Sequence, residues 1–208
     1  MRTMNFFYLL VTILITSNSC KKDNDERLLK LPVGQNIYPL EVGNYWEYGN
    51  TRDQVDSIVN SNGFDYFMVV TFPLNIEKSN GRYFVDTAYY RNEGNKTLYK
   101  HRLIDEDILL FDFSMAKGDE ILIPYNFEPE RNDSEKIFLS EKYDTVRLNT
   151  TIVDSCYRFY YDVIQWVDEE HTIWVRPYLG IVKSKSNAWG IGDWLTKANI
   201  NGSVKEFK

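Results

Sequence analysis

The residue types that most often carry enzyme chemistry are scarce in this chain of 208 residues, and no motif combines them. The two histidines, His101 and His171, lie in or beside predicted strands, away from any recognisable nucleophile or metal-ligand spacing. Cys156 opens the run CYRFYYDVIQW, where a small, semi-buried thiol is a commoner role than a nucleophile. The chain has no phosphate-binding glycine loop, G-x-S-x-G, C-x-x-C or H-x-x-x-H sequence. We therefore predict no catalytic residue, no metal site and no cofactor.

Two runs of carboxylates are the remaining candidates for a hydrolytic site. Asp105–Asp107 and Asp168–Glu170 both fall at predicted hairpin tips. A glycosidase needs two carboxyl groups on either side of one sugar bond, whereas charges at hairpin tips are normally solvated. We therefore expect a protein that is not an enzyme, with a glycan-active enzyme as the least favoured alternative. The acidic run Asp23–Glu26 lacks the spacing and the glycine of an EF-hand calcium loop.

Two tryptophans are the best candidates for a ligand surface. Trp189 and Trp194 lie in the glycine-containing run SNAWGIGDW. Two indoles in such a run could stack on sugar rings or line an apolar pocket, and the alternative is packing over a hairpin glycine at a sheet corner.

The arrangement of apolar residues predicts an all-β domain. The chain is 43% hydrophobic and 15% aromatic, which excludes a disordered protein, and its formal charge of −6 disfavours nucleic acid as a partner. Alternating runs recur between turn residues, such as RYFVDTAYY, with Thr87 and Tyr89 on one face together with Tyr83 and Val85, and CYRFYYDVIQW, with Tyr157, Phe159, Tyr161 and Val163 on one face. This pattern is typical of a single, predominantly antiparallel domain built as a curved sheet, half-barrel or sandwich. The run Ser134–Tyr143 is also compatible with a short helix.

The first residues of the chain predict export. Arg2 precedes an apolar run from Phe6 to Ile15, which is too short to span a bilayer and is typical of a secretory signal peptide. We therefore divide the chain into a signal peptide (1–19), a polar tether (20–36) and a β domain (37–208).

The residues Ser17-Asn18-Ser19-Cys20 resemble the lipobox of bacterial lipoproteins, in the relaxed form found in Bacteroidota. The resemblance implies that Cys20 becomes the acylated N-terminus of an outer-membrane lipoprotein in the cell envelope, facing either the periplasm or the cell surface. Acyl chains contribute about 0.8 kcal/mol per buried methylene, so two or three would hold the protein on the membrane. Lys22 and the acidic residues after it resemble the export signal of Bacteroidota surface lipoproteins, and a solvated linker explains them equally well. With Cys20 acylated, Cys156 has no disulfide partner in the chain.

Two segments of the β domain resemble a group of secreted and lipoprotein domains whose functions are largely unassigned. These are YPLEVGNYWEY (38–48) and WVRPYLGIVKSKS (174–186), and a turn around Gly43-Asn44 would direct Trp46 into one end of the sheet. The resemblance implies fold and location, and hence a non-catalytic binding or structural module with an envelope protein or glycan as partner. Gly43 to Trp46 also resembles the Gly-x-Trp of lipocalins, with one additional residue, so a carrier of a hydrophobic ligand is the alternative. A cavity lined by aromatic residues would favour the carrier, and a filled core would favour the module.

Three sequences resemble the O-glycosylation site of Bacteroidota envelope proteins, in which Asp precedes Ser or Thr and an apolar residue follows. They centre on Ser57, Thr87 and Thr145. Strands are rich in Thr and Val in any case, which explains part of their number. We predict that one or more of the three is glycosylated in the native host.

Overall fold

The computed structural model describes residues 36–74, 86–100, 106–124, 134–164 and 166–208. The regular structure in these ranges consists entirely of strands: β1 (Tyr45–Tyr48), β2 (Thr51–Ser61), β3 (Phe64–Pro73), β4 (Asp86–Glu93), β5 (Lys96–Lys100), β6 (Asp107–Asp112), β7 (Glu120–Pro124), β8 (Ser134–Leu148), β9 (Thr151–Val163), β10 (His171–Arg176), β11 (Gly180–Ser186), β12 (Gly192–Ile200) and β13 (Ser203–Glu206). No helix in the described ranges is long and apolar enough to cross a membrane.

The thirteen strands form one antiparallel sheet in the order β6-β5-β4-β3-β2-β1-β12-β11-β10-β9-β8-β7, with β13 paired to β12. The meanders β1–β6 and β7–β12 are joined where β1 pairs with β12, for example at Tyr45 and Asn199. The edge strands β6 and β7 contact each other without pairing, so the sheet is curved and nearly closed. The predicted single, antiparallel all-β domain is confirmed, and of the predicted forms the structure adopts the curved sheet.

The segment from Ser134 to Tyr143 is strand, which decides the alternative that the sequence left open. It forms the first part of β8 and pairs with β9 over most of its length. Ile137 and Leu139 are fully buried and alternate with more exposed neighbours, which is the periodicity of a strand with one face on the core.

The sequence predicts correctly which face of β9 meets the core. In β4 the core lies on the face opposite to the one that carries Thr87 and Tyr89. Tyr157, Phe159, Tyr161 and Val163 are all buried, as the alternation predicts. In β4, Thr87 and Tyr89 share a face, but Tyr90 is the residue that packs against the core. The reason is the register with β3, which pairs Ala88 with the buried Val69. Tyr83 and Val85 lie outside the described residues.

Trp46 joins the two segments that the sequence singles out. Its side chain is 1% exposed, and its indole Nε1 donates a hydrogen bond to the carbonyl of Leu179 at 2.6 Å. Gly180 has φ of +102°, and a Cβ there would lie 2.8 Å from Nε1 of Trp46, so only glycine fits against the ring. The hydroxyl of Tyr48 donates to the carbonyl of Ile181 at 3.0 Å. The predicted burial of Trp46 against the second segment is confirmed.

The interior of the curved sheet is occupied by a continuous aromatic cluster. Tyr38 stacks against both Trp46 and Phe111, with ring centroids 5.7 Å apart in each case. Phe111 continues to Phe159 at 5.4 Å, and the cluster extends from there to Phe113 and Tyr157. The described core is therefore filled by its own side chains.

Candidate functional site

Two neighbouring connections at one end of the sheet expose large apolar side chains. The β9–β10 and β11–β12 connections lie side by side because the N–H of Asn187 donates to the carbonyl of Glu170 at 2.9 Å. We call the exposed apolar residues on these connections the apolar tip: Ile164, Trp166, Val167, Trp189 and Ile191. Exposed apolar groups gathered in one place are typical of a binding surface.

The β11–β12 connection holds Trp189 outward on a well-defined turn. The N–H of Gly190 donates to the carbonyl of Ser186 at 3.0 Å, and the N–H of Ser186 donates to the carbonyl of Ile191 at 2.8 Å. Gly190 has φ of +66°, a conformation that glycine adopts at no steric cost. The indole of Trp189 remains 70% exposed.

Trp194 belongs to a different surface, the outer face of the sheet. It pairs in register with Lys183 of β11, which pairs with Trp174 of β10. Residues in direct register project to the same face, and the Nζ of Lys183 lies 5.1 Å from the ring centroid of Trp174. We call Trp174, Lys183 and Trp194 the cross-sheet row. Trp194 is 46% exposed, while Trp174 and Lys183 are half-buried.

Trp174 is fixed in orientation by a polar contact on β8. Its Nε1 donates to Oδ2 of Asp144 at 3.0 Å. The same carboxylate oxygen lies 3.3 Å from a guanidinium nitrogen of Arg158, which neutralises it. The indole of Trp174 therefore has little freedom to turn on the sheet surface.

The structure places the two predicted tryptophans on adjoining surfaces. Trp189 stands in the β11–β12 connection, and Trp194 lies on the strand that follows. Among the described ring contacts none joins these two indoles. Sequence reasoning did not select Trp174 as a ligand residue, because its partnership with Lys183 and Trp194 depends on strand register.

A cleft of about 260 Å³ opens elsewhere on the surface, lined by Asn36, Phe64, Asp65, Phe67, Arg91 and Asn92. The guanidinium of Arg91 donates to Asp107 at 2.7 Å, pairs with Glu93 at 2.9 Å and lies 4.5 Å over the Phe64 ring. Tyr66 donates to Asp107 at 2.9 Å. Burial and this hydrogen bond raise the pKa of Tyr66. The ionisable groups beside the cleft thus satisfy one another.

Of the remaining candidates for chemistry, Cys156 is buried and His171 is engaged in a ring contact. Cys156 is fully buried, and burial raises the pKa of its thiol to about 12, so a thiolate is disfavoured. His171 stacks on Tyr161 with ring centroids 4.7 Å apart, and burial lowers its pKa. Asp168–Glu170 lie in the β9–β10 connection, and no hydrogen bond or ion pair between described residues joins them to Asp107. Within the described ranges no cluster of three His, Cys, Asp or Glu side chains could hold a metal ion.

Several sequence predictions fall outside the described residues. These are the signal peptide, Cys20 with almost all of the tether, Asp105 and His101. Of the three predicted glycosylation sites, Ser57 and Thr87 are half-buried on β2 and β4, and Thr145 is exposed on β8. Asp86 and Asp144 each accept a hydrogen bond at 2.8 Å from the N–H of the threonine that follows.

No protein-family model matches the chain, and no curated protein matches it. Two solved structures are similar to it. One is provisionally described as an exported protein with a YmcC-like fold from Bacteroides fragilis, with 12% identity over 82% of this chain and 99% of that one, and a TM-score of 0.46. The other is provisionally described as a lipoprotein from Parabacteroides distasonis, with 12% identity over 83% of this chain and 99% of that one, and a TM-score of 0.41. At these values the likeness assigns no function to the chain.

Proposed function

We propose that this protein is a lipid-anchored lipoprotein of the bacterial outer membrane whose β domain is a non-catalytic binding module. The observation that carries the binding role is the exposure of Trp189 and Trp194 on adjoining surfaces of a sheet whose interior is filled. Aromatic side chains held outward on a rigid frame offer large contact areas at low entropic cost.

The anchor rests on the sequence around Cys20. About 16 residues separate Cys20 from the start of the described fold at Asn36, and an extended chain of this length spans about 55 Å at most. The chain enters the fold beside the β10–β11 turn, where the N–H of Tyr178 donates to the carbonyl of Ile37 at 2.7 Å. Because β10 and β11 run between that turn and the apolar tip, Ile37 and the tip lie at opposite ends of these strands.

The filled interior supports a module over a carrier of a hydrophobic ligand. A carrier needs an apolar cavity in the mouth or interior of its sheet, typically of several hundred Å³. Here Tyr38, Trp46, Phe111 and Phe159 pack against one another in that position. The cleft beside Arg91 is instead a surface feature with polar and charged residues in its wall.

The environments of the carboxylates support a non-catalytic role. A glycan-active enzyme needs one carboxyl group with a raised pKa and a second that stays ionised, both facing one sugar. Asp107 is held by Arg91 and Tyr66, and Asp168–Glu170 stand in a turn without a described carboxyl partner. Glu135, whose pKa burial raises to about 7, is 8% exposed and therefore closed to a polysaccharide.

Two experiments test the proposal. Cys20→Ala should move the protein from the membrane fraction to the soluble fraction, and Cys156→Ala, the matched control, should leave it membrane-bound. Membrane association that persists in Cys20→Ala would contradict the anchor. The full-length protein in detergent should retain envelope components that the double variant Trp189→Ala/Trp194→Ala does not, and equal retention would contradict the binding surface.

A further inference from the structure

The cross-sheet row has the spacing of a platform for a linear polymer. Trp174 and Trp194 are separated by one intervening strand, so their Cα atoms lie about 10 Å apart, which is twice the spacing between paired strands. Two linked pyranose units span a comparable distance. Lys183 lies between the two indoles and on the same face.

Two lysines on this face have no anionic partner among the described residues. The Nζ of Lys183 lies over the ring of Trp174, and Lys185, two residues further along β11, is exposed without a described ion pair. Residues two apart on a strand project to the same side. Lys142, Lys197 and Lys205 also lack a described carboxylate partner, so what sets Lys183 and Lys185 apart is their place beside two indoles, those of Trp174 and Trp194. On a chain of formal charge −6, this combination of ammonium groups and indoles favours an anionic ligand.

Lys185, next to the row, faces a glycine on the neighbouring strand. The residue opposite Lys185 on β12 is Gly192, which presents no side chain to block a ligand that lies across the strands. A Cβ on Gly192 would lie 2.3 Å from the carbonyl oxygen of Ser184, so the close approach of the two backbones requires glycine. No side chain of β12 therefore stands opposite Lys185.

We propose that the cross-sheet row, with Lys185, binds an acidic polysaccharide. Sugar faces stack on Trp194 and on Trp174, from whose ring the ammonium group of Lys183 turns to contact a sugar carboxylate. The ammonium group of Lys185 contacts a second carboxylate. The proposal deepens the binding role proposed above and is independent of the lipid anchor.

The geometry favours a polysaccharide over a membrane surface or a protein. Trp174 is half-buried and tied to the sheet through its hydrogen bond to Asp144, so its indole cannot insert between lipids. A protein interface is centred on buried anchors with apolar neighbours, and none of the exposed aliphatic side chains of the described residues belongs to the row. The row instead combines aromatic faces with unpaired charges.

The test uses the full-length protein in detergent and three carboxylated polysaccharides: polygalacturonate, alginate and hyaluronate. Binding is measured by isothermal titration calorimetry, with fully methyl-esterified polygalacturonate as the matched uncharged ligand. We expect at least one acidic polymer to bind, and binding to weaken as salt is raised. The esterified polymer should bind at least about tenfold more weakly, since a tenfold change corresponds to one charge-assisted contact.

Substitutions on and off the row locate the site. Trp194→Ala and the double variant Lys183→Ala/Lys185→Ala should each weaken binding about tenfold, and the lysine variant should also flatten the salt dependence. Lys205→Ala, which removes a positive charge outside the row, should bind like the wild type. Trp174→Phe keeps an aromatic ring but removes the hydrogen bond to Asp144. It replaces Trp174→Ala if that variant does not fold.

The proposal is overturned if none of the three polymers binds, if Trp194→Ala binds like the wild type, or if the free and esterified polymers bind equally. Vesicles of phosphatidylethanolamine and phosphatidylglycerol serve as a competing probe. Sedimentation with vesicles that depends on Trp194, without polysaccharide binding, would assign the row to a lipid surface instead. Loss of polysaccharide binding alone leaves the envelope-retention experiment unaffected, so failure of this proposal is distinguishable from failure of the binding module.

Discussion

Replacing Gly180 tests whether the packing of Trp46 against this residue stabilises the contact between the segments 38–48 and 174–186. Gly180 has φ of +102°, and a Cβ there would lie 2.8 Å from Nε1 and 3.2 Å from Cε2 of Trp46. Gly118 has φ of +95°, and a Cβ there would meet no atom within 4 Å. The two glycines share a backbone conformation and differ in their surroundings, which makes Gly118→Ala the matched control for Gly180→Ala.

The expected losses of stability follow from these distances. An L-residue in the left-handed region costs about 1–2 kcal/mol, so Gly118→Ala should lower the free energy of unfolding by that amount. Gly180→Ala adds overpacking against a buried indole, at about 1–3 kcal/mol. Trp46→Phe costs about 2–4 kcal/mol by itself, through a smaller ring and the lost hydrogen bond to Leu179, and it removes the atom nearest to the new Cβ. In that background Gly180→Ala should cost only the backbone contribution.

Urea unfolding followed by far-UV circular dichroism gives the free energy of unfolding for the wild type, both single variants and the double variant. The expected coupling between the two positions is about 1–3 kcal/mol, with unchanged dependence on urea. Two outcomes would refute the reasoning. One is a cost of Gly180→Ala that agrees in the two backgrounds within about 0.5 kcal/mol, and the other is a Gly118→Ala variant that loses as much stability as Gly180→Ala.

Three further predictions use buried or modified groups. Burial raises the pKa of Glu135 from 4.5 to about 7. Between pH 4.5 and about pH 7 the folded state therefore keeps a proton on this carboxyl group that the unfolded state has released. The free energy of unfolding should therefore fall by about 2–3 kcal/mol as pH rises from 4.5 to 7, and Glu135→Gln should remove most of this slope in urea titrations at several pH values. Cys156 should resist a thiol-reactive probe at pH 8 in the native protein and react fully in urea; fast native labelling would contradict its burial. The native protein should exceed the mass of peptide plus lipid by one or more glycans, lost in part in Thr145→Ala, and a mass equal to peptide plus lipid would exclude glycosylation.

Much of the fold can be predicted from local alternation of apolar and polar residues, as β9 illustrates. Tyr157, Phe159, Tyr161 and Val163 point inward and alternate with polar residues such as Arg158. The sequence therefore predicts both that this segment is a strand and which of its faces meets the core. The stretch DTAYY of β4 has apolar groups at successive positions, so either face could meet the core. The pairing with β3 determines which face of β4 meets the core, and the sequence of β4 alone does not reveal that pairing.

The candidate site is harder to predict from the sequence, because it too depends on how strands pair. Trp189 and Trp194 stand out because they flank glycines in one short run. Trp174 and Lys183 become their neighbours only through the registers of β10 with β11 and of β11 with β12. A single sequence does not contain strand register, and one residue of slip would move every side chain of a strand to the other face. The cross-sheet row is therefore visible only in the folded molecule.

The pairing of β1 with β12 also has a consequence for the timing of folding. Tyr45 meets Asn199, and Trp46 donates its hydrogen bond to Leu179, so strands from the two ends of the domain complete each other. A chain that leaves the ribosome or an export channel N-terminus first holds Trp46 without its partners until residues near 200 have emerged. Contacts of such long sequence separation form slowly. We therefore expect the pairing of β1 with β12 to be among the last contacts to form, so the curved sheet closes only once nearly all of the chain is available.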